Sequence, residues 1–261
     1  MKKLLVLVVV AAFVGLLATG CAQEDTLKVG MELKYPPFET IDEDGNPTGA
    51  SVRLAEALGV YLDREIEIVD TPYPSLIPAL ESGNVDIIIS SMTITAAREE
   101  VVDFSDPYTT SQLMMLAHKD SAVKSPADLN NSNVIIASKT GTIGALWAQS
   151  NAPEAQIMNI DEEATAVLEV AQGNADVFIY DPLSIIRHQE NHPDTTVAIL
   201  EALPNTKGWG IALRKGEDEL RDQLNAFIKK AKTDGTYDGI REESLKEKMV
   251  EFEAVGIDFF F

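Results

Sequence analysis

The sequence predicts an α/β protein in which two mostly parallel sheets are flanked by helices. Apolar strand-like segments alternate with amphipathic helical segments along most of the chain, which is typical of parallel sheets. Residues 86–90 (DIIIS) form a nearly continuous β-branched run, as in a strand covered on both faces. The alternation starts again at Val134, so we expect two sheets. A chain of 261 residues, 45% of them hydrophobic, can bury a core in each.

The individual elements follow from hydrophobic spacing and from turn residues. Strands are predicted at 28–32, 65–70, 86–90 and 113–117 in the first series, and at 134–137, 156–160, 175–180, 196–200 and 208–213 in the second. Ser51 is predicted to cap a helix that runs to Leu62. Further helices are predicted at 74–82 before Gly83, 143–149, 162–172 before Gly173, 183–188 and 217–233. The polar segment 42–49 predicts a tight turn or hairpin.

The first twenty residues predict an export signal. Lys2 and Lys3 precede an apolar run over residues 4–17, and small residues lead into Cys21, the single cysteine. The run is shorter than the ~20 residues of a spanning helix. The segment around Cys21 resembles a bacterial lipobox, although Ala18 stands where leucine is commoner, so lipidation of Cys21 is expected. A plain signal peptide and a transmembrane helix are the alternatives.

The net charge of the chain argues against two classes of partner. It is −21 for the full sequence and about −23 once Lys2 and Lys3 are removed with the signal. Such a surface repels the phosphates of nucleic acids and anionic lipid headgroups, and it also serves solubility. We therefore expect no nucleic-acid partner.

In open α/β sheets the ligand binds beyond the carboxyl ends of the strands, which directs attention to three segments. The first, residues 91–98, combines clustered hydroxyl groups with Thr95 as a helix cap and Arg98 in the first helical turn. A cation there is unfavourable for the helix dipole, but a guanidinium suits a carboxylate. The alternative is a surface ion pair between Arg98 and a nearby acid at 99, 100 or 103.

The second and third strand ends complement the first. Residues 138–144 form a glycine-rich turn with hydroxyl groups, but the phosphate-loop spacing is absent, and an ordinary turn is the alternative. Asp181 followed by Pro182 predicts a helix start, and Asp181 can also accept hydrogen bonds from an ammonium group. Helix capping alone is the competing interpretation. An arginine at one rim and an aspartate at another together suit a zwitterion.

Several motifs carry a resemblance to a known family. They are VGMELKYPPFE (29–39), SLIPALESGNVDIIISSMTIT (75–95), REEVVDFSDPY (98–108), SKTGTIG (138–144), GNADVFIYD (173–181), GWGIALRKG (208–216) and DGTYDGI (234–240). From about Leu27 to Asp238 the chain resembles the amino-acid solute-binding proteins of ABC importers, the family of the glutamine- and histidine-binding proteins (family 3).

The resemblance implies a two-lobe periplasmic-binding-protein fold (type II, Venus-flytrap), with a two-strand hinge and the ligand between the lobes. The expected organisation is a lipoprotein signal at 1–20 and an anchor linker at 21–26, followed by lobe 1 at 27–111 and lobe 2 at 112–206. Lobe 1 returns at 207–240, and a C-terminal tail covers 241–261. Where the family has GFDVDL this chain has GASVRL at 49–54, so two acidic residues and one aromatic residue of that motif are missing.

The resemblance also implies roles for nine residues. Arg98 is expected to bind both oxygens of the ligand α-carboxylate, which Thr93 and Ser91 also contact as hydroxyl and amide partners. Asp181 is expected to accept hydrogen bonds from the α-ammonium group. The remaining expected contacts are Tyr35 and Tyr73 around the ligand side chain, Glu32 facing its polar end, and Lys139 and Thr142 from lobe 2.

Each of these side-chain contacts has a plainer interpretation. Tyr35 and Tyr73 would then be core-edge aromatics, Glu32 a solvated strand end and Lys139 a surface lysine. His118, His188 and His192 are treated as surface residues, because they show no metal-ligand spacing. No metal and no cofactor are expected.

The predicted function is binding of a small polar or cationic amino acid outside the cell membrane and its delivery to an ABC importer. The expected partners are the free amino acid, the permease subunits and, through Cys21, the membrane; the protein is expected to be a monomer. The alternatives are an enzyme on the same fold, such as a dehydratase, and a ligand-sensing module. No paired carboxylates for acid–base catalysis are evident, and a receptor would need a membrane span and an output domain after Phe261.

Overall fold

The computed structural model describes residues 26–110, 112–203 and 207–254. The predicted signal at 1–20 and the predicted lipidation site Cys21 lie outside these ranges. Within them, no helix has the length and apolar character needed to cross a membrane.

Strands and helices alternate through most of the described chain. The strands are β1 (Leu27–Met31), β2 (Thr40–Ile41), β3 (Pro47–Thr48), β4 (Ile66–Asp70), β5 (Ile87–Ile88), β6 (Asp103–Phe104), β7 (Met114–His118), β8 (Ile135–Lys139), β9 (Gln156–Ile160), β10 (Val177–Tyr180), β11 (Thr196–Ile199) and β12 (Ala212–Leu213). The α-helices are α1 (Ala50–Leu62), α2 (Leu76–Glu81), α3 (Ala96–Glu99), α4 (Ile143–Asn151), α5 (Glu163–Ala171), α6 (Pro182–Asn191), α7 (Asp218–Ala231), α8 (Thr236–Ile240) and α9 (Lys246–Ala254). Short 3₁₀ segments occur at Tyr73–Ser75 and Pro126–Asp128, and a π-helical turn spans Arg241–Leu245.

Two five-stranded sheets form the framework. The first has the order β4-β1-β5-β12-β6, and the second has the order β11-β7-β10-β8-β9. The hairpin of β2 and β3 stands apart from both and matches the turn predicted at 42–49. The predicted α/β class with two sheets is confirmed.

Strand direction differs from the prediction of mostly parallel sheets. In the first sheet β1 runs parallel to β4 and β5, but β12 runs antiparallel to β5 and β6. In the second sheet β8 is parallel to β9 and β10, whereas β7 is antiparallel to β10 and β11. Both sheets are therefore mixed, because β7 and β12 do not follow the repeating strand–helix–strand connection that makes neighbours parallel.

Each sheet is covered on both faces by apolar side chains. Ile87 packs into one core cluster of the first sheet and Ile88 into another, as alternating side chains of a strand should. In the second sheet Met115 and Leu116 are divided between two clusters in the same way. The C-terminal helical segment joins the first core, since Phe252 is fully buried there.

The start of α1 differs from the prediction that Ser51 caps it. Gly49 occupies the cap position with φ at 113°, and a Cβ there would lie 2.4 Å from the carbonyl oxygen of Phe38. A glycine is needed at this close approach, so the helix begins earlier and Ser51 lies buried inside its first turn. The predicted caps Thr95 and Asp181 are both present, each accepting from a backbone N–H three residues on.

Candidate functional site

A partly open cavity lies between the two sheets, with about 430 Å³ of space that includes volume open to solvent. Its lining comes from both halves of the fold. The first sheet and its loops supply Glu32, Tyr35, Glu39, Tyr73, Ser90, Ser91, Thr93 and Trp209, and the second half supplies Leu113, Thr142, Ile143, Tyr180 and Asp181. Several of these residues follow the carboxyl end of a strand, where the strand-end rule places a ligand.

Arg98 lies beside this cavity and not on the surface. Its side chain is buried, and it donates to the carbonyl oxygen of Thr93 at 2.5 Å and to the hydroxyl of Tyr73 at 3.2 Å. A third bond, at 2.9 Å, crosses to the carbonyl oxygen of Gly141 in the second half of the fold. The alternative of a surface ion pair is therefore wrong. None of these three acceptors carries a charge. They leave the guanidinium charge unneutralised, so it can pair with an anion.

Asp181 lies on the opposite wall of the cavity, at the end of β10. Its Oδ1 accepts from the backbone N–H of Ser184 at 3.0 Å, which caps α6. Its Oδ2 is buried and has no hydrogen-bond partner among the described residues. Burial raises the pKa of the Asp181 carboxyl, although hydrogen bonding to the Tyr35 hydroxyl and to Ser184 acts in the opposite direction. Capping thus uses one oxygen and leaves the other as an acceptor that a cation would satisfy.

Glu32 and Lys139 form a buried ion pair across the cavity. Lys139 Nζ donates to Glu32 Oε2, and the two side chains are 3% and 8% exposed. The other oxygen of Glu32 accepts from the backbone N–H of Tyr73 at 3.2 Å. The alternatives of a solvated strand end for Glu32 and a surface lysine at 139 are both wrong, because each residue neutralises the other inside the protein.

Aromatic rings form much of the wall. Tyr35 is buried, with ring centroids of Phe38, Tyr180 and Trp209 at 5.2, 5.9 and 6.1 Å. Tyr73 is half-buried, and two cations lie near its ring, the Arg98 guanidinium carbon at 5.8 Å and Lys139 Nζ at 5.7 Å from the centroid. The rings can contact the apolar part of a ligand. The two cations near Tyr73 place positive charge beside the cavity.

The three predicted hydroxyl residues have different surroundings. Thr93 Oγ1 is buried without a hydrogen-bond partner among the described residues. Ser91, which adopts a left-handed backbone with φ at 47°, donates from Oγ to Glu39 at 3.1 Å. Thr142 Oγ1 donates to the carbonyl oxygen of Lys139 at 2.7 Å. Thr93 is the one of the three whose hydroxyl has no partner in the described chain.

Sequence reasoning missed several lining residues, of which Glu39 matters most. It is 1% exposed, and Ser91 and Ser90 donate to its two oxygens at 3.1 and 3.4 Å. Burial raises the pKa of Glu39 to about 8, although the serine hydroxyl groups act in the opposite direction. No basic side chain pairs with Glu39 among the described residues. Its position in the YPPFE motif was the signal that could have drawn attention to it.

His188 corrects the expectation that all three histidines lie on the surface. It is 9% exposed, and its Nε2 lies 2.6 Å from Glu163 Oε1. Burial opposes ionisation of Glu163, but the hydrogen bond from His188 and the charge of Arg187 lower its pKa overall. No cluster of three potential metal ligands exists among the described histidines, aspartates and glutamates.

Comparison with known proteins agrees with this architecture. The family model described as bacterial extracellular solute-binding proteins, family 3, matches residues 27–247. The chain is 30% identical over 223 residues to the L-cystine-binding protein TcyJ of Escherichia coli strain K12, covering 85% of this chain and 83% of that one.

Two solved structures extend the comparison. One is the ancestral amino acid-binding protein AncCDT-1, a precursor of cyclohexadienyl dehydratase, at TM-score 0.74 and 37% identity over 84% of this chain and 95% of that one. The other is an ancestral arginine-binding protein bound to arginine, at TM-score 0.76 and 30% identity over 85% and 98%. The chain belongs to the bacterial extracellular solute-binding proteins of family 3.

Proposed function

We propose that the protein binds one free α-amino acid in the cavity between its two sheets and delivers it to an ABC importer. One observation carries this proposal: a buried guanidinium, Arg98, lies beside a cavity whose opposite wall carries Asp181, a buried carboxyl with one oxygen that has no hydrogen-bond partner among the described residues. An α-amino acid presents a carboxylate and an ammonium group, so it matches both.

The charge of the site explains why the protein would close on such a ligand. Moving a zwitterion out of water is costly unless each charge is paired, and hydrogen bonds to charged groups contribute roughly 1.5–3 kcal/mol each. Because Arg98 and Asp181 belong to different halves, only a closed form pairs both ends of the ligand. Closure follows from this difference in affinity between the open and closed forms.

The same accounting of charge favours a cationic side chain. Glu32 and Lys139 neutralise each other, and a bound zwitterion neutralises Arg98 and Asp181. Glu39 then remains as a buried acid without a basic partner among the described residues. A ligand cation beside Glu39 would complete the balance. We therefore ascribe the preference for a cationic side chain to Glu39 and not to Glu32, the acid that the family resemblance places at the polar end of the ligand side chain.

Titration calorimetry with a matched set of ligands tests the proposal. L-Arginine and L-lysine are expected to bind more tightly than L-citrulline, which has nearly the shape of arginine without its charge. L-Glutamate is expected to bind weakly, because a third acid would face Glu39 and Glu32. Preferential binding of citrulline would contradict the role of Glu39, and the absence of binding to any of the twenty amino acids would contradict amino-acid binding itself.

We further propose that the ligand leaves unchanged. The pairing of Glu32 with Lys139 and the match of Arg98 and Asp181 to the two charges of a zwitterion support binding without turnover. The dehydratase-like alternative is tested by incubating the protein with arginine and with prephenate and analysing both by mass spectrometry. Quantitative recovery is expected, and loss of water from prephenate would contradict the proposal.

The proposed setting is the outer face of the cell membrane, with lobe boundaries at 27–111, 112–206 and 207–240. The basic and apolar leader, the residues before Cys21 and the family support export, lipid attachment at Cys21 and contact of the closed monomer with permease subunits. Metabolic labelling with a radioactive fatty acid is expected to mark the wild type and not Cys21→Ala. Equal labelling of both would contradict the anchor.

A further inference from the structure

We propose that Arg187 is a positioning residue that holds the closed form together at the rim of the cavity and so slows ligand release. The inference rests on the proposed function, because it concerns the lifetime of the same bound state. It concerns a side chain that does not line the cavity and that the zwitterion does not need.

The contacts of Arg187 join the two halves of the fold. Its Nη1 donates to the carbonyl oxygen of Pro36 at 2.9 Å, across the gap between helix α6 and the loop after β1. Its Nη2 donates to Glu163 Oε1 at 2.7 Å and to Ser184 Oγ at 3.2 Å, both within the second half. One guanidinium therefore has a bond to the opposite lobe and two bonds that fix it on its own side.

The two bonds within its own lobe hold the Arg187 guanidinium in the position from which it donates to Pro36. Glu163 is 10% exposed and also contacts His188 at 2.6 Å, so the carboxylate that holds the guanidinium is itself held. If the lobes separate, the bond to Pro36 breaks while the bonds to Glu163 and Ser184 remain. The guanidinium then stays aimed at the opposite lobe, and little side-chain entropy is lost on closing again.

Both partners of the Arg187–Pro36 bond are connected to residues that line the cavity. The loop that contains Pro36 is closed by two hydrogen bonds between the backbones of Tyr35 and Glu39, at 2.8 and 3.0 Å, and both residues line the cavity. On the other side, Ser184 donates its backbone N–H to Asp181. The Arg187–Pro36 bond thus ties the side-chain wall of the cavity to the turn that carries the proposed ammonium acceptor.

A second cross-lobe contact serves as an internal comparison. Lys34 Nζ lies 2.7 Å from Glu162 Oε1, but the two side chains are 57% and 59% exposed. Exposed pairs of this kind contribute little. Arg187 is 28% exposed and its partner Glu163 only 10%. The two contacts lie at the same rim. Arg187 is less exposed than Lys34 and is held by a buried carboxylate, although Pro36, which accepts its cross-lobe bond, is itself exposed.

Stopped-flow fluorescence tests the proposal, using Trp209 in the cavity wall as the reporter and L-arginine as the probe. Arg187→Ala is expected to raise the dissociation rate about tenfold and to leave the association rate within about twofold, since the bond forms after encounter. Arg187→Lys is expected to recover part of the loss, because an ammonium group can still donate. Lys34→Ala is expected to change the dissociation rate less than about twofold.

A matched control separates this effect from general destabilisation. Arg221 is a similarly exposed arginine (35%) whose bridges, to Asp218 at 2.7 Å and Asp103 at 4.0 Å, stay within the first half of the fold. Arg221→Ala is expected to keep the wild-type dissociation rate.

Unchanged dissociation from Arg187→Ala, when the wild type binds arginine, would overturn the proposal and leave the proposed function intact. Equal acceleration in Arg187→Ala and Arg221→Ala would also overturn it. If the wild type binds no amino acid at all, both this inference and the proposed function fail.

Discussion

Ionisation of Glu39 is expected to control how ligand binding depends on pH. Burial raises the pKa of this carboxyl to about 8 from an ordinary value of 4.5, which corresponds to about 5 kcal/mol opposing its charge. A ligand cation beside Glu39 would offset much of this free energy, so binding and loss of the proton are linked. Glu39→Gln keeps the size of the side chain and removes the charge.

The expected dependence on pH follows from that linkage. If Glu39 is ionised only in the complex, the affinity for L-arginine rises about tenfold per pH unit up to about pH 8 and then levels off. At pH 7 binding should release about 0.9 proton. In Glu39→Gln the slope between pH 6 and pH 8 should vanish. The affinity at pH 8 should then fall by about 10- to 150-fold, the equivalent of one charge-assisted hydrogen bond.

Calorimetry in two buffers of different ionisation enthalpy measures both the affinity and the protons released. L-Citrulline is the control ligand, because it should show little dependence on pH with either protein. The reasoning would be refuted by a wild-type affinity for arginine that is flat from pH 6 to pH 8. It would also be refuted by a Glu39→Gln variant that keeps the wild-type slope.

Four further outcomes are expected. Arg98→Ala should cost at least ~2–5 kcal/mol of ligand binding, since a carboxylate would be buried unpaired; near-normal affinity by calorimetry would contradict this. Asp181→Asn should weaken binding at least about tenfold yet melt within a few degrees of the wild type, because asparagine caps helices as well as aspartate does. Unchanged binding by Asp181→Asn would instead assign Asp181 to capping alone. Lys139→Met should lower the free energy of unfolding by about 3–5 kcal/mol, as Glu32 is left buried and unpaired, and adding Glu32→Gln should restore much of it in urea titrations; no restoration would contradict the pairing. For the ligand-free protein, the raised pKa of Glu39 means that the free energy of unfolding falls as pH rises from about 4.5 to about 8. In Glu39→Gln a plot of melting temperature against pH should be flatter over this range. A curve of unchanged slope would contradict it.

The sequence was sufficient for the parts of the fold that depend on local pattern. The periodic segments placed most strands within one or two residues, and β9 falls at the predicted 156–160. The strand-end rule led to Arg98 and Asp181 because it uses only the order of strands and the chemistry of the residues that follow them. The fold places Asp181 in the wall of the cavity and Arg98 beside it, while their roles toward a ligand stay a prediction.

Contacts between residues that are far apart in the chain could not be predicted from the sequence. Lys139 meets Glu32 across 107 residues, and Ser91 meets Glu39 across 52, so no local pattern indicates either contact. Nε2 in the buried ring of His188 lies 2.6 Å from a carboxylate oxygen of Glu163, which is 25 residues earlier in the chain. Strand direction was also missed, since a short apolar run such as β12 reads the same whether its neighbours are parallel or antiparallel.

The central claim is that one amino acid joins the two halves of the protein through Arg98 and Asp181. A crystal structure of the protein with L-arginine tests it most directly. In that structure we expect the α-carboxylate within hydrogen-bond distance of the Arg98 guanidinium and the α-ammonium within hydrogen-bond distance of Asp181 Oδ2, with the ligand guanidinium directed toward Glu39. An arginine bound in this cavity with its α-carboxylate away from Arg98, or bound elsewhere on the molecule, would contradict it.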